Sequence, residues 1–288
     1  MTAQSVPPRP PLGLGVGWRR ELASAIDGWT DLGFVEIVTE NFAAGRRLPK
    51  GLRALLERGV KVVPHGISIS LGGAERPDAE RLDELARMAE RVQAPLVSEH
   101  ICFVRAGGLE SGHLMPVPRS REMLDVLVEN VNIACAALPV PLAVENIATL
   151  FDWPDPEMDE PSFITELLER TPALLLLDLS NLYANARNFG YDWRDWLSGI
   201  PLERIAYCHL AGGVERGELY HDTHAHPLPD DACELVEWLC ERADPPGLMI
   251  ERDDNFPPPE ELRAELDAVR SARDRARSAE EAKAGVSR

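Results

Sequence analysis

A (β/α)8 barrel is the fold the sequence predicts, on three observations. Eight short runs rich in Leu or β-branched residues recur along the 288 residues, segments of helical periodicity separate them, and six of the runs finish in ionisable side chains. An open, doubly wound sheet is the second reading.

The first run, residues 12–18 (LGLGVGW), is read as a strand despite its glycines, because it lacks the GKS/T ending and the full GxGxxG spacing of a phosphate loop. Residues 34–39 (FVEIVT) and 61–67 (KVVPHGI) supply two more strands. A helix follows over residues 78–92, with Leu82, Leu85, Ala89 and Val92 on one face behind a capping Asp78. Residues 96–101 (LVSEHI) are the fourth strand, and residues 102–119 read as a long loop. The helix over 120–138 has Ser120 as N-cap, a stripe of Met123, Leu124, Leu127, Val131 and Cys135, and Pro139 beyond its end. Residues 141–147 (PLAVENI), 173–179 (ALLLLDL), 204–211 (RIAYCHLA) and 247–253 (GLMIERD) complete the eight, with a second long loop over 148–160. The last helix starts near Pro259. Proline-rich residues 1–11 predict a disordered segment, residues 12–270 one metal-binding catalytic domain, and residues 271–288 a frayed or disordered tail, since the apolar stripe fades after Arg270.

Composition narrows the function. The excess of 48 acidic over 30 basic residues, a formal charge of −18, argues against nucleic acid. No run of about 18 apolar residues is present for a membrane span, and the first residues carry prolines where a signal peptide needs an apolar stretch, so a cytoplasmic protein is expected. The five cysteines are odd in number and lack a CxxC, as befits reduced thiols. No GxSxG motif supports a serine nucleophile.

The polar strand ends carry the chemistry. They are His65, Glu99 and His100, Glu145, Asp178, His209 and Glu251. A (β/α)8 barrel gathers the C-terminal ends of its strands at one mouth. Carboxylates crowded there cannot all stay ionised without cations, so the cluster asks for metal. The stretch YHDTHAHP (residues 220–227) adds Asp222 and His224, which point the same way if that piece is extended. Any one histidine alone reads more readily as a hydrogen-bonded structural residue than as a ligand. His113 and His221 read as surface residues, and His226 as part of a turn.

The series HGISISLG, LVSEH, LAVEN, LLLDLSNLYANARNFGYD, YCHLAGG, DTHAHP and IERDDNFPP, from about Leu12 to Glu261, resembles the multinuclear non-haem iron-dependent oxidative enzymes of the methanobactin-biosynthesis type. The resemblance implies a xylose-isomerase-like barrel holding two or three irons, mixed Fe(II)/Fe(III), with O2 as co-substrate. It further implies oxidative modification of residues, cysteine above all, in a ribosomally made precursor peptide that a separate partner protein presents. The order of ligands also resembles the trinuclear zinc site of endonuclease IV. By resemblance, His65, His100 and Glu145 hold one metal. Glu145, Asp178, His209 and Glu251 hold a second, with Glu145 bridging, and Asp222 and His224 a third, with Asn181. Glu145, Asp178 and His209 are the catalytic candidates. Asn181 stands where endonuclease IV has histidine, and an amide is the poorer ligand, so the third site is expected to be weaker. Phe189 stands where many members carry histidine, a change directed at substrate fit.

Glu99 is expected behind His100, since neighbouring strand residues face opposite ways. Asn146, Asn188, Arg252 and Asp253 are expected to support the ligands or the substrate. The competing class is a metal-dependent hydrolase or isomerase on the same barrel, an apurinic-site endonuclease in the first case and a sugar isomerase in the second. A non-enzymatic, metal-dependent binding partner is the third.

Overall fold

The computed structural model describes residues 6–43 and 45–286. The chain begins with β1 (Gly13–Gly17), α1 (Ala23–Ile26), β2 (Phe34–Val38), α2 (Lys50–Glu57), β3 (Lys61–His65), α3 (Ala79–Val92) and β4 (Val97–His100). A hairpin follows, β5 (Phe103–Ala106) with β6 (Leu109–Met115), then α4 (Arg121–Ala137), β7 (Leu142–Glu145), α5 (Glu160–Arg170), β8 (Leu174–Asp178), α6 (Leu179–Phe189) and α7 (Trp193–Ser198). The remainder is β9 (Ile205–Leu210), a second hairpin of β10 (Gly212–Arg216) and β11 (Leu219–His226), α8 (Ala232–Cys240), β12 (Gly247–Ile250) and α9 (Pro259–Val286).

Eight strands close into a parallel barrel in the order β1, β12, β9, β8, β7, β4, β3, β2, one in each run expected from the sequence. Asp78 caps α3 by accepting from the Glu80 and Arg81 amides, and Ser120 caps α4 through the Met123 amide. Alternation along the strands divides the core. Leu175 and Leu177 face the helices, whereas Leu174 and Leu176 join Phe34, Val63, Leu96, Ala143, Tyr207 and Met249 inside the barrel. The glycines of β1 serve this packing: a Cβ on Gly15 would stand 2.4 Å from the Phe34 ring.

The structure departs from the sequence reading in three places. Residues 102–119 are not a loop but contain an antiparallel hairpin, and the piece that carries Asp222 and His224 belongs to a second one over 212–226, both standing outside the barrel sheet. Residues 6–11 run without regular structure yet are tied down, Arg9 donating to the Ile205 carbonyl at 3.1 Å and Lys61 to the Pro11 carbonyl. The last helix stays packed beyond Arg270, with Ala272 and Ala276 buried, because small side chains continue the stripe where large ones stop. Parts of the two terminal segments read as disordered, residues 1–5 and 287–288, lie outside the described residues. Among the described residues no helix is long and apolar enough to cross a membrane, and the five cysteines are unpaired.

Candidate metal centre

Period two places the site. On seven barrel strands a polar side chain lies two or four residues beyond an interior apolar one: Glu36 after Phe34, His65 after Val63, Ser98 and His100 after Leu96, Glu145 after Ala143, Asp178 after Leu176, His209 after Tyr207, and Glu251 after Met249. All are buried. The mouth they form is a cavity of about 900 Å³ that also reaches Asn181, Asp222, His224 and Asp253. The β5–β6 hairpin overhangs it through Glu110, His113 and Leu114.

Two of the acids divide their labour between their two oxygens. Asp178 caps α6 with Oδ1, accepting from the Ser180 and Asn181 amides, and aims Oδ2 at His209 Nδ1 and His224 Nε2, 3.7 Å from each. Glu251 takes the Arg19 guanidinium on Oε1 at 2.8 Å and presents Oε2 to His209 Nδ1 at 3.1 Å and His224 Nδ1 at 3.2 Å. Glu145 keeps both oxygens for the centre. Its Oε2 lies 3.4 Å from His100 Nε2 and 3.6 Å from His65 Nε2, its Oε1 3.3 Å from His209 Nδ1.

These contacts are close without being satisfied. Glu145 Oε2, Asp178 Oδ2, His209 Nδ1 and Asp222 Oδ1 are buried and have no hydrogen-bond partner, a costly state for polar atoms unless something else binds them. Ligand atoms about 2.1 Å from a shared ion stand roughly 3 to 3.5 Å apart, close to the spacings of 3.1 to 3.7 Å found at the centre. Four groups gather donors in this way: His65 with His100 and Glu145, Glu145 with Asp178 and His209, Asp178 with His224 and Glu251, and Glu36 with His209 and Glu251. The residues fit metal ions.

The field agrees. Burial pulls His209 down, but Glu36, Glu251 and Glu145 outweigh it and hold its pKa well above the ordinary value. His224 rises likewise: burial opposes, while Asp222 and Glu251 prevail. His100 is lifted to about 9 against burial by Glu145 and Glu99. Burial raises Glu145 to about 6 against the pull of His100 and His209. His65 moves the other way, lowered well below its usual value by burial and by His100 and His209, and is ready as a neutral ligand. A pocket that draws protons onto imidazoles holds surplus negative charge, which divalent cations would neutralise instead.

Glu36, Arg19 and Tyr207 of this centre were not singled out in the sequence. Glu36, fully buried in β2, receives His209 Nε2 at 2.9 Å and the Tyr207 hydroxyl at 2.5 Å. Tyr207 Oη lies 2.7 Å from Ser98 Oγ, which is 2.8 Å from His65 Nδ1. A carboxylate can only accept, so the protons run one way: His65 Nδ1–H to Ser98, Ser98 to Tyr207, and Tyr207 and His209 Nε2–H to Glu36. The chain leaves His65 Nε2 and His209 Nδ1 bare toward the mouth. Glu99 does the same for His100. Its Oε1 stands 3.3 Å from His100 Nδ1, and its Oε2 accepts from the Ile69 amide at 2.9 Å.

The other sequence candidates divide. Asn146 ties β7 to β8, exchanging hydrogen bonds with the Asp178 backbone, and its carbonyl accepts from the Asn181 side-chain amide, leaving Asn181 Oδ1 as the atom that residue could offer a metal. Asp222 and His224 meet, Oδ2 to Nε2, at 2.6 Å, but not on a straight strand: His224 has φ +50°. That strained backbone, unusual outside glycine, turns the ring inward. Asp253 holds Arg19 and stands 3.6 Å from His224 Nδ1. Two candidates do not reach the mouth. Asn188 pairs with the Tyr220 backbone, fastening α6 to β11, and Arg252 turns to Glu265 on α9. His226 hydrogen-bonds Thr223 within the hairpin.

Comparison with known proteins adds three findings. The family model described as the RiPP precursor modification enzymes MbnB/TglH/ChrH matches residues 13–274. A UPF0276 protein of Streptomyces avermitilis is 53% identical over 272 residues, 92% of this chain and 56% of that protein. One from Caulobacter vibrioides strain NA1000 is 37% identical over 238 residues, 83% of this chain and 85% of that one. The chain thus spans little more than half the length of the Streptomyces relative. Among solved structures, endonuclease IV of Thermus thermophilus superposes with a TM-score of 0.55 at 18% identity, covering 93% of this chain and all of that one. A xylose isomerase domain protein of Planctomyces limnophilus gives 0.55 at 15%, covering 92% and 95%. At such identities the likeness is one of fold.

Proposed function

The chain belongs to the MbnB/TglH/ChrH family of RiPP precursor modification enzymes, and from that premise we propose that it oxidatively modifies residues, cysteine first, in a ribosomally made precursor peptide, using two or three iron ions and O2. The observation that carries the reading is Glu145, whose two oxygens face two separate nests of bare imidazole and carboxylate atoms.

His65, His100 and Glu145 would hold one iron, and Glu145, Asp178, His209 and Glu251 the second. A third would lie with Asp222, His224 and Asn181, where the proximity of His224 to Asp178 and Glu251 also makes those acids candidates. When bound, iron would supply open coordination for a substrate thiolate and the redox capacity that an O2-dependent oxidation requires. Everything else falls to the protein. Glu36 and Glu99 hold the imidazole protons on the outer nitrogens, so the inner ones are free to bind. Arg19 and the α6 N-terminus fix the rotamers of Glu251 and Asp178. The hairpin β5–β6 and the loop over 148–160 would clasp the peptide above the mouth, and a separate protein would present it.

Mass spectrometry of candidate peptides co-expressed with the protein and with Glu145→Ala tests this, alongside metal analysis after anaerobic purification. Iron in the protein and a mass change in the peptide that the variant abolishes are expected. Zinc together with cleavage of abasic DNA would overturn the reading in favour of a hydrolase.

A further inference from the structure

A second cavity of about 390 Å³ lies beside the mouth and shares Ile147 with it. Its floor is apolar, built from Ile101, Val117, Ile147, Phe163 and Ile164. Its walls are aromatic, formed by Phe163, Phe189, Tyr191 and Trp196, and its rim is acidic. Two of the rim acids have cations already: Asp152 is met by Arg119, and Asp192 by Arg194 at 3.7 Å. Asp159, Glu160 and Asp195 have no ion pair among the described residues, and the Arg119 guanidinium, which also lines the cavity, acts on Asp159 and Glu160 only at longer range.

Helix capping accounts for part of this. Asp159 caps α5 through the Ser162 amide. It does not account for Glu160, whose Oε2 takes only the Trp196 indole at 2.9 Å and whose pKa is raised by desolvation against the pull of that indole and of Arg119. Nor does it explain Tyr191, whose hydroxyl is buried with no hydrogen-bond partner. Five carboxylates around the single guanidinium of Arg119, an orphaned phenol oxygen and aromatic faces around an apolar floor call for one occupant. It should have an aliphatic stem and a positively charged head, which donates to the oxygens and stacks against the rings.

We propose that this cavity is a specificity subsite for a lysine or arginine side chain of the precursor peptide, seated a few residues from the one modified at the mouth. The proposal rests on the peptide reading of the function. Ile147 gives the spacing, because it lines both cavities and stands two positions beyond Glu145. Phe189, 42% exposed at the end of α6, is the wall residue that would adapt the subsite to this protein's own substrate.

A display library of twelve-residue peptides with one fixed central cysteine, selected on the immobilised iron-loaded protein and then sequenced, tests this. Lysine or arginine should be enriched at least fivefold at one fixed offset from the cysteine. Glu160→Gln and, separately, Asp195→Asn should lose most of that enrichment, and two variants guard against misfolding in either. A library with alanine at the fixed position tests the function independently. Selection of cysteine without a basic neighbour overturns the subsite and spares the function, whereas a basic preference indifferent to cysteine does the reverse. No basic enrichment at any offset, an empty selection included, or enrichment unchanged in both variants, overturns the proposal.

Discussion

Glu36 decides more of the centre than its place in the sequence suggests. It sits amid FVEIV, where one acid in an apolar strand reads as the solvent-facing member of an alternation, so nothing in the pattern marks it out. Only closure of the barrel turns that face inward, and there the carboxylate needs donors, which Tyr207 and His209 supply. The strand-end histidines and acids were legible because chemistry and position coincided in each of them. Replacing Glu36 by Gln removes the negative charge that draws the Tyr207 and His209 protons, which loosens the hold on the His209 tautomer. Fe(II) affinity in anaerobic titration should fall about 10- to 100-fold, with unchanged far-UV circular dichroism. Tyr207→Phe should weaken it less, since His209 keeps its acceptor. Unaltered affinity in Glu36→Gln would remove the positioning role.

Among elements, the eight barrel strands announced themselves, since strands buried on both faces must be near-continuous apolar runs. The two hairpins did not. Residues 103–115 and 212–226 are partly exposed, polar and interrupted by glycine, so they carry no alternation to read, and both pair irregularly. The second delivers Asp222 and His224, so the ligand pair was visible while its carrier was not. The structural meaning of GLGVG was also hidden until Phe34 was seen against Gly15. Gly15→Ala should force that ring aside and cost about 1–3 kcal/mol. Thermal denaturation should show a midpoint lower by several degrees, and an unchanged midpoint would mean that the barrel interior is looser than described.

Across the whole molecule, the barrel assembles a negative pocket that its own cations do not neutralise, since Arg19 is the one guanidinium lining the mouth among the described residues. Bound ions should therefore stabilise the fold as well as serve the chemistry. An ion present at 1,000 times its dissociation constant contributes about 4.1 kcal/mol, which for a chain of this size is a shift of roughly 7 °C. Stripping the metal with EDTA should lower the melting temperature by at least that much, and added Fe(II) should restore it. A midpoint indifferent to EDTA would mean that the ordered pocket needs no ion. The most direct measurement is anomalous diffraction at the iron edge from crystals grown and loaded without oxygen. Two strong peaks should flank the Glu145 carboxylate, one toward His65 and His100 and one toward His209, with a weaker third beside Asp222 and His224. A mouth without iron under saturating Fe(II), or iron bound only elsewhere on the surface, would contradict the account.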